Sequence, residues 1–248
     1  MRYGLLAASV SALALVALDA RARPAVAQIP SLKDCTQDDS ARLALRACTS
    51  LLQQTGLDQK DLAAILAARG RAWLREEEPE EAVSDFTRAL ELQPSNPALL
   101  KDRARAHTRL AAYKEAANDW SALIALDPAS ETAYLNRAQA LLAAGDTAAA
   151  LADFDTVLGR NAGSVEARIG RGNVFVTLDQ KADAYREFDL AQKLAPQGWQ
   201  VYHARGVAAD KWGDTKLAIE NYTRTLHLNT VNWDARRALR RLGLVNIP

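Results

Sequence analysis

Hydrophobic and small residues repeat along most of the chain, from Ala63 to Asn232, with a period of about 34 residues. One position of the repeat is always aromatic, and the position four residues earlier is always alanine. A spacing of i, i+4 and i+7 places small and large residues on one face of a helix. The pattern therefore predicts two antiparallel helices in each repeat. The two columns are Phe86, Trp120, Phe154, Phe188 and Tyr222, and Ala82, Ala116, Ala150, Ala184 and Ala218.

Five such repeats follow one another without an insertion, and a single helix pair is too thin to bury its own apolar face. We therefore predict an all-α fold, a right-handed α-solenoid of about twelve helices in stacked antiparallel pairs. Pro94, Pro128 and Pro196 close three of the units, whereas Ala162 and Thr230 stand at this position in the third and fifth. The sequence therefore does not predict where the second helices of these two units end. The units are 63–96, 97–130, 131–164, 165–198 and 199–232.

These columns resemble the tetratricopeptide repeat (TPR), in which a small residue, a bulky residue, Ala-x-x-x-Phe and a closing proline follow in order. The first unit carries the pattern as Gly70, Trp73, Ala82, Phe86 and Pro94. The resemblance implies a TPR superhelix and a non-catalytic protein whose partner is another protein or a peptide. The chain departs from the pattern at the bulky position, which holds His107 in the second unit and Ala209 in the fifth.

A periodic arginine accompanies a periodic acid. The arginine directly precedes the small residue of each first helix, and the acid directly precedes the packing aromatic of each second helix. We predict a ladder of bidentate Arg–carboxylate pairs between the helices; the alternative is an arginine stripe that binds anionic ligands. The ladder comprises Arg69, Arg103, Arg137 and Arg171 with Asp85, Asp119, Asp153 and Glu187, while the fifth unit has Arg205 and Asn221.

Residues 1–27 match an export signal. Arg2 gives a basic start, the stretch from Gly4 to Leu18 carries no charge, and Ala25-Val26-Ala27 is a small-residue cleavage site. The apolar stretch is shorter than the roughly 20 residues that a spanning helix needs. We expect cleavage after Ala27, no membrane insertion thereafter, and an exported protein of bacterial type, periplasmic or secreted. The alternative is an uncleaved membrane anchor.

The segments that flank the repeats are predicted to be caps. Residues 28–62 fill one repeat length without the aromatic column, which indicates a divergent helical cap. In an oxidising compartment Cys35 and Cys48 can pair within the chain and would join an extended segment to the following helix. Two unpaired buried thiols are the alternative. Residues 233–248 predict a capping helix and a tail.

Composition and charge exclude several classes of function. A hydrophobic share of 49% excludes extensive disorder, and a net charge of +1 gives no reason to expect nucleic acid as a partner. Nucleophile elbows, H-E-x-x-H and phosphate-binding loops are absent from the sequence, and the cysteines and histidines lack metal-ligand spacing. We therefore expect no enzyme, cofactor or metal. His107 is expected to pack in the core, and the acid-rich run 76–81 to solvate a turn rather than bind calcium.

The TPR resemblance also assigns first-helix positions to a concave groove. These positions are cationic in the first two units, and apolar with amides in the next two, which suits an extended acidic peptide. Alternatively, the cations solvate the groove or pair with Asp102. For the protein as a whole, the alternative is a scaffold that uses its convex face or its ends, and a remote alternative is an envelope enzyme. The candidate groove residues are Arg71, Arg75, Lys101, Arg105, Arg109, Leu135, Asn136, Gln139, Leu142, Ile169, Asn173 and Val176.

Three of these residues, Lys101, Arg105 and Asn136, partly resemble the clamp with which some TPR proteins hold a C-terminal carboxylate. The next unit carries Glu166 and Gly170 where that clamp needs further cations. The resemblance to a clamp is therefore incomplete.

Overall fold

The computed structural model describes residues 31–37 and 39–244, so the predicted export signal and its cleavage site lie outside the described residues. The described residues form thirteen helices and no strand, which confirms the predicted all-α class. The helices are α1 (Leu32–Thr36), α2 (Ala41–Leu51), α3 (Gln59–Arg75), α4 (Pro79–Leu92), α5 (Pro97–Arg109), α6 (Tyr113–Leu126), α7 (Glu131–Ala143), α8 (Thr147–Arg160), α9 (Val165–Thr177), α10 (Lys181–Leu194), α11 (Trp199–Lys211), α12 (Thr215–Leu228) and α13 (Trp233–Arg241).

Helices α3 to α12 form five successive pairs, and a three-residue turn joins the helices of each pair. The pairs stack into a solenoid in which each helix packs against its neighbours in the chain. First helices of neighbouring units also contact one another: α7 contacts α9, and α9 contacts α11. The second helices contact mainly first helices. The first helices are therefore closer together and line the concave side of the curve.

The aromatic column lies in the interior of the stack. Phe86, Phe154 and Phe188 are fully buried, and each ring packs against a first helix. A Cβ atom on Gly70 would lie 2.7 Å from the ring of Phe86, and one on Gly172 would lie 2.5 Å from Phe188. The small residue of each first helix is thus required by the ring that packs on it. Burying such a ring contributes about 1.5–3 kcal/mol of transfer free energy.

The second helices end at the same register with or without a closing proline. Helix α8 ends at Arg160, two residues before Ala162, as α4 ends two residues before Pro94. The following helix is capped in both cases: the Ser164 side chain accepts a hydrogen bond from the backbone N–H of Ala167 at the start of α9, as Asn96 accepts from Leu99 at the start of α5.

The N-terminal cap is cross-linked. Cys35 and Cys48 form a disulfide with an S–S distance of 2.08 Å, and both are buried against α3. The expectation of an extended segment at Cys35 was wrong, since this residue lies on the short helix α1, which Ser31 caps through a capping box with Asp34. The first helix of unit one also begins at Gln59, inside the predicted cap, because Asp58 supplies its N-cap.

The C-terminal end of the stack is covered by α13, whose Ala235 and Leu239 are buried against the fifth unit. Trp233 and Val231 at the same end remain 71% and 72% exposed. Among residues 31–37 and 39–244, no helix is both long enough and apolar enough to cross a membrane.

Candidate functional site

The ladder arginines lie between the two helices of their own unit. Arg69 donates from Nε and Nη2 to the carboxylate of Asp85, at 2.7 Å in both bonds. Arg137 binds Asp153 in the same way, at 2.8 and 2.7 Å. The acids are 2–5% exposed, and the hydrogen bonds with Asp153 raise the pKa of Arg137 above its ordinary value. These cations are therefore neutralised inside the fold.

Each arginine from the second unit onward also reaches the second helix of the preceding unit, a contact that sequence reasoning missed. Arg137 donates from Nη1 to Ser121 Oγ at 3.1 Å, and Arg171 donates to Asp155 at 2.6 Å. A polar column in the sequence could have revealed this contact, because the acceptors recur at the period of the repeat. They are Thr87, Ser121, Asp155 and Asp189. The ladder thus holds successive units together as well as each helix pair.

A cavity of about 680 Å³ opens on the concave side, between α3, α5 and α7. Half of the predicted groove residues line it: Arg71, Arg75, Arg105, Arg109, Asn136 and Gln139. Sequence reasoning missed several neighbours, including the aromatic residues Tyr113 and Trp120 from α6. Trp120 belongs to the aromatic column that predicted the core, and its periodicity gave no sign that it also borders the groove.

The groove cations differ in how far the protein itself satisfies them. Arg71 donates to Asp102 at 2.7 Å, as the alternative interpretation of the sequence required, and Arg109 donates to a backbone carbonyl of α3. Arg105 and Lys101 are exposed and have no hydrogen-bond or ion-pair partner among the described residues. The cavity therefore offers the guanidinium of Arg105 to a ligand, with Lys101 on the same helix outside the cavity lining.

Amides lie beside these cations. The Nδ2 group of Asn136 donates to the backbone carbonyl of Thr132 at 2.7 Å, which leaves its Oδ1 to accept from a ligand. Gln139 is exposed and has no hydrogen bond within the part of the chain that the structure describes. Paired donors and acceptors of this kind suit the backbone of an extended peptide.

The apolar half of the predicted groove does not line the cavity. The prediction for Leu135 was wrong: this side chain is 7% exposed and packs in the core with Phe154 and Val157. Leu142, Ile169 and Val176 are partly buried against the same core or the next cluster. Asn173, also half-buried, lies outside the cavity lining. The apolar surface of the cavity therefore comes from other residues than those predicted, among them Leu74 and Tyr113.

Gly170 explains why the clamp for a C-terminal carboxylate is incomplete. A Cβ atom on Gly170 would lie 2.2 Å from the buried ring of Phe154, so the position cannot take a cationic side chain without displacing the core. Glu166, one turn earlier on α9, is exposed and brings negative charge instead.

No group of three or more His, Cys, Asp or Glu residues that could hold a metal ion occurs in residues 31–37 and 39–244. His107 lies half-buried on α5, with Nε2 3.9 Å from the carboxylate of Asp119. Its buried Nδ1 has no hydrogen-bond partner among the described residues, and burial lowers the pKa of this imidazole despite the nearby acid. His107 therefore fills the bulky position of its unit as a neutral ring.

The repeat geometry agrees with comparisons to known families. Models of the tetratricopeptide repeat match residues 63–96, 101–164 and 135–198, which together span more than half of the chain. The chain belongs to the tetratricopeptide repeat family. No curated protein sequence matches it significantly.

Solved TPR structures share the fold at low identity. A TPR protein from Parabacteroides merdae is 21% identical, with a TM-score of 0.67 over 83% of this chain and 88% of that one. PilW, a type IV pilus biogenesis factor, is 17% identical, with a TM-score of 0.57 over 72% and 86%. YrrB, a TPR protein with an unusual peptide-binding site, is 17% identical, with a TM-score of 0.50 over 79% and 100%. The TPR fold supports an interaction or scaffold role.

Proposed function

We propose that this TPR protein is a non-catalytic adaptor of the cell envelope that holds an extended acidic peptide in its concave groove. The observation that carries the proposal is Arg105, an exposed guanidinium on the wall of a cavity of about 680 Å³ that has no partner among the described residues. The amides of Asn136 and Gln139 on the neighbouring first helix face the same cavity. A carboxylate of the peptide would bind the cation, and its backbone would bind the amides.

The cavity also favours a peptide over a small flat ligand, because it runs across three helices and ends on aromatic groups. Tyr113 is partly exposed and offers ring surface, which makes large contacts at low conformational cost, while Trp120 is 4% exposed and only borders the cavity. The ion pair of Arg71 with Asp102 fixes one wall of the cavity, and it neutralises Arg71 so that this cation does not compete for the carboxylate of the peptide. Recognition would then depend on Arg105 and Lys101 rather than on all five cations.

The envelope location rests on two features. Residues 1–27 have the order of an export signal, and the Cys35–Cys48 disulfide is of the kind that persists in oxidising compartments. One structural relative, PilW, is a pilus biogenesis factor, and a role in assembling an envelope structure is consistent with our proposal.

The second candidate is a scaffold that uses an end of the stack. Two exposed residues favour it, Val231 just before α13 and Trp233 at its first position, because large apolar side chains grouped at one end are typical of protein contacts. Such a scaffold would bind its partner independently of the groove.

Charge reversal in the groove tests the proposal. Two pools of labelled nine-residue peptides, one rich in Asp and Glu and one with Asn and Gln in their place, are titrated against Lys101→Glu/Arg105→Glu. The control Arg88→Glu/Lys114→Glu changes the same net charge on exposed residues of α4 and α6 outside the cavity. We expect the groove variant to lose about tenfold in affinity for the acidic pool together with most of its salt dependence. Equal affinities for both variants, with both folded, would exclude the groove.

A further inference from the structure

A second cavity, of about 500 Å³, lies between α10, α11 and α12. It shares no lining residue with the groove cavity, and its walls come mainly from second helices. Its lining includes two arginines, Arg205 and Arg224, with Asn221 between them in the chain. Nothing in the groove proposal uses this site.

Arg205 is the fifth arginine of the ladder, and its bonding differs from that of the fourth. In the fourth unit Arg171 donates from Nη1 to Asp155 at 2.6 Å and from Nη2 to Glu187 at 2.7 Å. Arg205 retains the first of these contacts, from Nη1 to Asp189 at 2.8 Å, and the same nitrogen donates to Gln192 at 3.0 Å. The position of the second acid is occupied by a neutral residue.

That residue, Asn221, is 5% exposed, and its Nδ2 donates to the backbone carbonyl of Leu217 at 2.8 Å. It makes no hydrogen bond with Arg205. The Nε atom of Arg205 is buried without a partner among the described residues, as is that of Arg171, but Nη2, which in Arg171 binds Glu187, has no acceptor in Arg205. Nε and Nη2 form the edge of the guanidinium that holds Asp85 in the first unit.

We propose that this cavity binds a carboxylate group, which pairs with Nε and Nη2 of Arg205 as Asp85 pairs with Arg69. A bidentate carboxylate satisfies both donors at once, which removes the cost of a buried donor without a partner. The carboxylate belongs to an acidic residue or C-terminus of a partner, or to a small free acid; both present the same group.

The cavity holds a second arginine besides Arg205. Arg224 lines the cavity, and its guanidinium is 5.6 Å from the centre of the Tyr202 ring, a contact that restrains it. Glu220 is exposed and is the one acid in the described lining, while Asp189 is already paired with Arg205. Arg224 is thus a second cation beside Arg205, and the one acid in the described lining is exposed to solvent.

The arginine Nε–Hε resonances of the ¹⁵N-labelled protein test the proposal, with the Arg205 signal assigned from Arg205→Lys. Sodium succinate and the capped peptide acetyl-Gly-Asp-Gly-amide are titrated separately, against sodium chloride at constant ionic strength. We expect a saturable shift at Arg205 and none at Arg69, whose carboxylate site is filled by Asp85. A response to succinate alone indicates a small acid, and a response to the peptide alone indicates a partner segment. No saturable shift with either probe would overturn the proposal.

The substitution Asn221→Asp restores the ladder acid and serves as the matched variant. In this variant without ligand, we expect the Arg205 Nε–Hε resonance to be shifted in the same direction as in the parent protein with bound carboxylate. Titration of the variant with either probe should then cause no further shift. A variant that titrates like the parent would contradict the assignment to this edge of Arg205. Because the parent titration stands alone with Arg69 as its reference, the test does not depend on the variant folding.

Discussion

Arg103 and Arg105 lie two residues apart on the same helix and do different things. Arg103 donates three hydrogen bonds to the buried carboxylate of Asp119, whereas Arg105 is exposed in the groove without a partner among the described residues. A step of two residues turns a side chain by about 200° around a helix, so the two arginines lie on opposite faces. The comparison shows that the role of each cation follows from its face of the helix.

Substitutions at interior positions should therefore lower the free energy of unfolding, and substitutions at groove positions should lower the affinity for the peptide. The largest effect is expected from Phe154→Ala, because this ring is fully buried and packs on Gly170. We expect the free energy of unfolding to fall by about 3–5 kcal/mol. Denaturant unfolding measures the loss, with exposed Gln139→Ala in the groove as the control that should change little. A loss below about 1 kcal/mol would mean that the interior face is assigned wrongly.

A matched pair of substitutions tests the two arginines themselves. Arg103→Met leaves Asp119, whose side chain is 5% exposed, without its cation and should cost about 3 kcal/mol of stability. Arg105→Met removes an exposed cation and should cost less than about 0.5 kcal/mol. Chemical denaturation of both variants under the same conditions gives the difference. Equal losses would show that the two faces of α5 are not distinct in the way described.

A smaller effect is expected from pH through His107, on the same helix as both arginines. Burial lowers the pKa of His107 in the folded state below the ordinary value of 6.5. As pH falls through 6.5 the unfolded chain takes up the proton first, so stability decreases until the folded pKa is reached. The unfolding midpoint should thus fall as the pH is lowered from about 7.5 through 6.5, and His107→Leu should flatten that fall. An unchanged slope in the variant would assign the dependence to other groups, such as His203, whose pKa burial also lowers.

The period of the repeat was sufficient to predict the helix pairs and, in the first four units, the acid that each ladder arginine binds within its own unit, because both depend on contacts that recur along the stack. It could not show that Leu135 turns into the core, since that depends on the packing around Phe154 in one unit. Nor could it show that α1 is helical at Cys35, because a capping box of Ser31 and Asp34 decides a segment of five residues. The repeat period carries no information on helix caps between residues close in the chain or on packing that differs from one unit to the next.

The groove itself was half predictable. The cations and amides were assigned from family positions, and six of the twelve candidates line the cavity. The pairing of Arg71 with Asp102 could be weighed in advance but not decided, because the repeat pattern does not show which acceptor the Arg71 side chain, 50% exposed in the structure, reaches. The availability of Arg105 became visible only when the neighbouring helices were in place.

The most direct test of the groove as the binding surface is site-specific photo-crosslinking in cells that express the protein. A photoreactive residue at Gln139 lies in the cavity, and one at Glu91 lies on the exposed side of the second helix α4. The account predicts a discrete cross-linked partner from position 139 that Lys101→Glu/Arg105→Glu abolishes, and none from position 91. A partner captured from position 91 and not from 139 would contradict it and place binding on the convex face.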